Sequence, residues 1–413
     1  MENKFGLLGR KLGHSWSPQI HTQLCGYPYG LYETEPEELE NFLRTTDLAG
    51  MNVTIPYKKD VVPFCTTLSD AARAIGSVNT LVRTPEGWHG DNTDYAGFVT
   101  MTQSCGVPVQ GRKALVFGTG GASLAVKAAL RDMGADPIIS ISRSGKNNYN
   151  NLSLHADAEI LVNTTPLGMY PNTGVSPVSL EQFPACRLVL DVVYNPARTA
   201  LLLQAEQRGI PCAGGLVMLV AQARRSAEQF AQTSIPDAAV FDIVRSLQQQ
   251  TQNIILIGMP GCGKSAVGRA LRDYTGRELI DADTYLVEKY GMTIPEIFEK
   301  EGEEGFRRRE TEVLGELGKR SGIILSTGGG CITRPENYPL LHQNGTIFWI
   351  QRKLENLARK GRPLSLTTPL EELYAARRDK YAAFADHIVV SDEIIEHTVQ
   401  KIIAAAGLLP KEE

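Results

Sequence analysis

The sequence predicts an α/β chain organised as successive blocks around parallel sheets, and three observations carry that expectation. Short apolar, β-branched runs alternate with helix-like stretches along most of the 413 residues, the pattern of right-handed βαβ units. Two glycine-rich turns, at residues 118–121 and 258–265, each follow such a run and open a helical pattern. One polar segment, QQQTQN, lacks apolar periodicity and separates the last block from the rest.

The elements follow in order. Residues 1–100 mix the strand-like runs FGLLG, GMNVTIP and NTLVRT with helical stretches. Residues 111–215 alternate more regularly. KALVFG, PIISIS, AEILVNTT and RLVLDVV read as strands, and ASLAVKAALRDMG reads as a helix between two of them. A helical stretch over 216–248 closes this region, and the boundary is expected near 248–252. The alternation restarts at IILIG and continues through ELIDAD, GIILSTGGG, GTIFWI and HIVVS. The expected units are 1–100, completed by helices within 216–247; then 101–247; a linker at 248–252; and 253–413. At this length two or three domains can each bury a core, and no short-period repeat is visible.

Composition narrows the class. Hydrophobic residues make up 42% and charged residues 21%, ordinary for a soluble globular protein. A net charge of −4 gives no basic field for nucleic acid. No apolar run reaches the ~20 residues that span a bilayer, and MENKFGLLGRKLGHSW lacks the apolar core of a signal peptide. The seven cysteines are scattered, odd in number and free of CxxC spacing. A reducing cytoplasm without a zinc site is the expectation. No nucleic-acid or membrane partner is expected, and the oligomeric state is left open.

Residues 258–265, GMPGCGKS, fit GxxxxGK[ST] between a strand and a helix. Gly261 and Gly263 let backbone N–H groups turn inward around phosphate oxygens, and the helix N-terminus adds a favourable dipole. Lys264 is expected to reach the β- and γ-phosphates of ATP, and Ser265 to ligand Mg²⁺. LIDADTYL places Asp281 and Asp283 two apart at a strand end, on the same side of the chain. One such carboxylate can hold Mg²⁺ through water while the other orients an acceptor hydroxyl. EEGFRRRE supplies Arg307 near a helix start, with Glu310 one turn on to brace it. LSTGGG ends a strand with Gly328, Gly329 and Gly330, where bare backbone can approach a small ligand. RKGRPLS suits a mobile lid carrying Arg362 onto phosphates, and ARRDKY puts Arg377 four residues before Tyr381. Taken singly, each of these has a bland reading as a solvated strand end or an exposed basic face.

In this order the motifs resemble shikimate kinase across about 250–405, essentially that family's full length. The resemblance implies that Lys264 and Ser265 hold the nucleotide and metal, with Asp281 on the metal side. It implies that Asp283 contacts the acceptor hydroxyl as candidate base. Arg307, Arg377 and the backbone of Gly329 and Gly330 would grip a small carboxylated polyol, with Arg362 as the lid arginine. Two arginines for one carboxylate is a bidentate-recognition arrangement. The segment between Leu357 and Pro363 is short for that lid.

Upstream, LVFGTGGAS sets Gly118, Gly120 and Gly121 after a strand and before a helix, a dinucleotide-binding turn in a βαβ setting. The next strand ends in ISISRSGK. An NAD site favours an acid there for the ribose 2′-OH; Ser142, Arg143, Ser144 and Lys146 suit a 2′-phosphate instead, so NADP(H) is expected. GHSWSPQIH places Ser15 and Ser17 before a helix-starting proline, where two hydroxyls and helix N–H groups can bind a carboxylate; a simple N-cap is the bland alternative. Lys58, Asn79 and Asp94 follow in GMNVTIPYKKD, GSVNT and GDNTDYAGF, and a lysine near a carboxylate is a proton-transfer pair for carbonyl/alcohol interconversion.

HSWSP, NVTIPYK, VNT, GDNTD, GTGGAS, SRS, VVYNP and GGLVMLVAQA occur in the order found in shikimate dehydrogenase, which the chain resembles over roughly 1–245. The resemblance implies a substrate-binding domain over 1–100 and a Rossmann-type NADP-binding domain over 101–247. It implies that Ser15, Ser17, Asn52, Thr54, Asn79, Asp94 and Gln222 line the substrate site, and that Lys58 and Asp94 are the catalytic pair. Gly118, Thr119, Gly120, Gly121, Ala122 and the residues 142–144 would hold the dinucleotide, with Tyr194, Gly215 and Met218 near the nicotinamide or substrate. The two reactions implied are consecutive: 3-dehydroshikimate and NADPH give shikimate, then ATP gives shikimate 3-phosphate. A non-catalytic quinate- or shikimate-sensing regulator is the alternative from another class. It should have lost chemical groups, whereas Lys58, Asp94, Lys264, Ser265, Asp283 and Arg307 are all present without an added DNA-binding motif. Within enzymes, the alternatives are a quinate-preferring dehydrogenase half and a kinase for gluconate or a nucleotide.

Overall fold

The structure is a computed structural model that describes residues 4–13, 15–357, 369–391 and 394–408. Its contacts divide the chain into two compact units, Met1–Asn195 with Thr199–Arg245, and Ser246–Glu413 with Pro196–Arg198.

The first unit holds two sheets. The first is built from β1 (Phe5–Gly9), β2 (Tyr29–Glu33), β3 (Gly50–Val53), β4 (Cys65–Leu68), β5 (Thr80–Thr84) and β6 (Gly87–Asp91), in the order β2-β1-β3-β5-β6-β4. It is mixed: β1 runs parallel to β2 and β3, whereas β5 is antiparallel to β3 and β6. The second sheet comprises β7 (Ala114–Phe117), β8 (Ile138–Ile141), β9 (Ile160–Asn163), β10 (Leu188–Asp191) and β11 (Cys212–Gly214), all parallel, in the order β11-β10-β9-β7-β8. β7, β9 and β10 are buried along their whole length, which is why they read as continuous apolar runs. β7 lies between the strand that follows it and β9, so the winding direction reverses there. Ligands of doubly wound sheets bind outside the strand carboxyl ends at such a point.

Four strands were not legible. β2, β4, β6 and β11 are short, glycine-containing or half-exposed, and lack an apolar run. The helical stretch expected over 216–248 is two helices, Leu216–Ala231 and Asp237–Thr251. Gln232 at φ 50° stops the first, and Pro236 immediately precedes the second. The second runs through the segment expected to be a linker, leaving only Gln252 before the next strand. Glutamine is a good helix former, so polarity alone does not break a helix that already buries Leu247.

The second unit has one all-parallel sheet of β12 (Asn253–Ile257), β13 (Leu279–Asp281), β14 (Ile324–Ser326), β15 (Gly345–Gln351) and β16 (His387–Val390), ordered β13-β14-β12-β15-β16. Ile254, Ile255, Leu256 and Ile257 on the central strand are at most 1% exposed. Each contributes about 1.5–3 kcal/mol by burial. That fixes the strand that leads into the phosphate loop. Among the described residues no helix is long and apolar enough to cross a membrane.

Candidate active sites

In the first unit the sequence-distant Lys58 and Asp94 meet. Lys58 Nζ donates to Asp94 Oδ2 at 2.5 Å, with side-chain exposures of 22% and 10%. Asp94 is the first residue of helix Asp94–Ser104, where the helix N-terminus favours a carboxylate. Asn79 holds it from the side, its Nδ2 donating to Asp94 Oδ1 at 3.0 Å. Asn79 Oδ1 in turn accepts from the Thr93 backbone N–H at 2.7 Å, and Thr93 Oγ1 donates to Gln222 Oε1 at 3.3 Å. The buried Asn52 donates to Thr80 Oγ1 at 3.1 Å and accepts from the Tyr29 hydroxyl at 2.7 Å. Thus Lys58, Asp94, Asn79 and Gln222 form one hydrogen-bonded constellation, and Asn52 joins it through Thr80, which donates to Asn79 Oδ1 at 3.1 Å.

Tyr29, Thr80 and Thr93 were missed by the sequence reading, since nothing in a lone tyrosine or threonine marks it as a support. His21 stacks on Tyr29 with ring centroids 4.1 Å apart, and burial drives its pKa down to about 3, so it is a neutral packing group. Ser15 and Ser17 sit at the start of helix Ser17–Cys25, where Ser15 Oγ accepts from the Ser17 N–H at 3.2 Å. The half-buried Thr54 follows β3 and donates its N–H to Leu8 of β1 at 2.9 Å.

The dinucleotide turn leaves β7 for helix Gly121–Asp132. Gly118 has φ 107°, and a Cβ there would stand 2.8 Å from Thr164 Oγ1 beyond β9, so only glycine fits. Cβ positions on Gly120 and Gly121 meet open space. Past β8, Ser142 Oγ accepts from the Gly145 N–H at 2.9 Å, leaving Arg143 and Ser144 exposed. Thr119 and Ala122 flank the turn. Tyr194 is 39% exposed. Gly215 and Met218 have packing reasons of their own: a Cβ on Gly215 would lie 2.0 Å from Val192 O, and Met218 belongs to the core with Phe98 and Met101.

In the second unit the phosphate loop joins β12 to helix Lys264–Thr275, with Gly258, Gly261 and Gly263 at φ 149°, 88° and 102°. Lys264 Nζ donates to the carbonyls of Gly258 and Met259 at 2.8 and 3.1 Å. The loop forms one wall of a cavity of about 720 Å³, which Ser265, Asp281, Asp283, Arg307, Glu310, Gly328, Gly329, Gly330, Arg352 and Arg377 also line. Asp281 and Asp283 do not share a strand side. Asp281 ends β13 and caps helix Ala282–Tyr290, accepting from the Asp283 and Thr284 N–H groups, and Asp283 lies in that helix's first turn. Both still face the cavity. Arg307 lies within helix Ile294–Leu317, five residues past a kink at Gly302, so it sits near the start of a helical segment as expected. It donates to Glu310 at 2.7 Å inside the protein. Burial works against the Arg307 charge, but Glu310 and Glu303 outweigh it and raise its pKa; burial also pushes the Glu310 carboxyl up. Arg307 Nε and Glu310 Oε1 are buried without a hydrogen-bond partner. Arg377 and Tyr381, one turn apart, both donate to Gly329 O, at 3.1 and 2.5 Å. Ser265 Oγ lies 3.4 Å from Asp281 Oδ2, a pair of hard oxygen donors that fits Mg²⁺, which keeps most of its waters. Arg362 falls outside the described residues.

Fold and sites together define a dinucleotide-dependent oxidoreductase unit and a phosphate-loop kinase unit in one chain. The family description "Shikimate dehydrogenase substrate binding domain" matches residues 7–81, and "Shikimate kinase" matches residues 260–406. A shikimate dehydrogenase (NADP(+)) of Clostridium beijerinckii is 37% identical over 244 residues, covering 54% of this chain and 90% of that protein. Among solved structures, a chorismate mutase/shikimate 5-dehydrogenase fusion protein from Clostridium acetobutylicum is 37% identical with a TM-score of 0.57, over 60% of this chain and 97% of the other. A shikimate 5-dehydrogenase from Thermus thermophilus, in complex with NADP(H) and shikimate, is 29% identical with a TM-score of 0.54, over 59% and 99%. The chain belongs to the shikimate dehydrogenase family and carries a shikimate kinase domain in its second unit.

Proposed function

We propose that the chain is a bifunctional enzyme that reduces 3-dehydroshikimate to shikimate with NADPH and then phosphorylates shikimate with ATP. The observation that carries the reading is the cavity of the second unit, where a phosphate loop faces a carboxylate and two arginines suited to a small acid. It complements the Lys58–Asp94 pair of the first unit. The absence of a disulfide among the described residues supports a reducing, cytoplasmic setting.

In the first reaction the turn at 118–122 and the residues 142–144 would hold the dinucleotide, which would supply the hydride for the carbonyl carbon. Lys58 gives a proton to the carbonyl oxygen, and Asp94, fixed by Asn79, aims that ammonium and completes the proton-transfer pair. Asn52, Thr54, Ser15, Ser17 and Gln222 hold the hydroxyls and carboxylate. In the second reaction Asp283 accepts the proton of the attacking hydroxyl. The phosphoryl group passes to that oxygen, and the bond to the β-phosphate oxygen breaks. Arg307 and Arg377, which line the cavity, bind the substrate carboxylate. Lys264 gathers the phosphate charge, and Mg²⁺ would be held by Ser265 and, through water, by Asp281. Full-length protein given 3-dehydroshikimate, NADPH and Mg-ATP should yield both NADP⁺ and shikimate 3-phosphate. NADP⁺ without shikimate 3-phosphate would remove the kinase assignment, and absence of NADP⁺ would remove the dehydrogenase assignment.

Two further outcomes are expected. Arg143→Ala should weaken NADPH far more than NADH, because an exposed charge-assisted contact to the 2′-phosphate is lost, worth ~1.5–3 kcal/mol. Kinetics with both cofactors measure the ratio, and an unchanged preference means that Arg143 does not read that phosphate. A chain starting at Ser246 should fold alone and phosphorylate shikimate. The start is placed at Ser246 rather than within the expected 248–252 boundary because Arg277 donates to the Gln252 carbonyl at 2.6 Å and also to that of Gln249. An insoluble, inactive product would show that the units share their stability.

A further inference from the structure

We propose that Arg352 binds the polyphosphate of ATP, as a second cation beside Lys264 that no motif announces. The inference rests on the reading of this cavity as the ATP site.

Arg352 is the first residue beyond β15, and β15 pairs in parallel with β12, Ile257 opposite Trp349. Both chains therefore leave the sheet side by side at its carboxyl edge, β12 into the phosphate loop and β15 into Arg352. A Cβ built on Gly263 would meet one heavy atom within 4 Å, Arg352 Nη1 at 3.9 Å. Gly263 directly precedes Lys264, so the guanidinium stands over the open side of the turn whose N–H groups face phosphate oxygens.

The other cations of the cavity are engaged. Lys264 donates to two loop carbonyls, Arg307 to Glu310, and Arg377 to Gly329 O. Among the described residues no carboxylate or carbonyl engages Arg352, although it is half-buried in the wall. Four cations and three carboxylates line the cavity among those residues, and one of the carboxylates already neutralises Arg307. A guanidinium left facing such a wall is suited to an anion that arrives with the ligand. Its planar fork matches two phosphate oxygens, which a lysine there could not do.

The test uses the full chain with Arg352→Ala and Arg352→Lys. Steady-state kinetics are read separately for ATP and shikimate, and binding is measured for ATP, ADP and adenosine. The expected result is a loss of about 10- to 100-fold in kcat/KM for ATP with Arg352→Ala, partly recovered in Arg352→Lys. Affinity for ATP and ADP should fall while that for adenosine and the KM for shikimate hold, which a merely misfolded unit would not show. Wild-type kcat/KM for ATP in Arg352→Ala overturns the proposal. So does an equal loss of adenosine affinity, which would place Arg352 on the base or ribose. A wild-type chain that neither binds ATP nor transfers phosphate would instead overturn the reading of the cavity itself.

Discussion

Replacing Lys58 with alanine is expected to lower 3-dehydroshikimate reduction by about 10²–10⁴-fold, the contribution of a positioned acid–base group, while shikimate phosphorylation stays near wild type. The ammonium is the one group of the constellation that is both tied to a carboxylate and still 22% exposed, so it can reach a bound carbonyl. Asp94 keeps its bond to Asn79 in the variant, and Asn79 keeps its own support from Thr93, so the site's shape survives. Lys58→Arg separates two roles. It preserves the positive charge but does not give up a proton near neutral pH. Substrate KM should therefore hold in Lys58→Arg while kcat falls. Recovery of full turnover in Lys58→Arg would reduce Lys58 to a charge that binds, and unchanged NADPH oxidation in Lys58→Ala would remove it from the chemistry.

Legibility in the sequence differs from element to element. The central strands were legible because each is buried on both faces and must be apolar throughout, as with residues 254–257. β2 and β6 were not, since YGLYE and GWHGD take their strand geometry from neighbours rather than from propensity. Glycine-rich turns were legible for a related reason. Gly118 and Gly263 occupy backbone conformations that other residues rarely adopt, so the constraint is written at the position itself. The pairing of Lys58 with Asp94 was implied by resemblance, because no local spacing brings residues 36 apart together. Supports such as Thr93 act through one hydroxyl and one N–H, and Arg352 through its place at a strand end; neither leaves a local pattern. Asp283 was expected from strand alternation and arrives by another route, because Asp281 turns the chain into a helix at that point.

That route matters for the second large effect. Asp283→Asn should lower phosphorylation of shikimate by at least ~10²-fold, the low end for a positioned base, while ATP binding and the dehydrogenase reaction persist. Phosphoryl transfer depends mainly on placing the acceptor and neutralising charge, so the group that orients the attacking hydroxyl governs the rate. We assign that role to Asp283. Asp281 spends one oxygen capping the helix and directs the other toward Ser265, 3.4 Å away, on the metal side. Glu310 spends an oxygen on Arg307. Asp283 lines the same cavity beside the bare backbone of the glycine run: a Cβ on Gly328 would lie 2.9 Å from its Oδ1. A small polyol can therefore approach both at once. Asparagine keeps the size and the backbone N–H that bonds Asp281, but it loses the negative charge and the capacity to accept a proton. Nucleotide affinity should survive because Lys264, Ser265 and the loop are untouched. Normal turnover of shikimate by Asp283→Asn would move the acceptor-side role to another group. A wild-type chain that binds ATP and shikimate yet transfers no phosphate would instead favour a sensing protein over an enzyme.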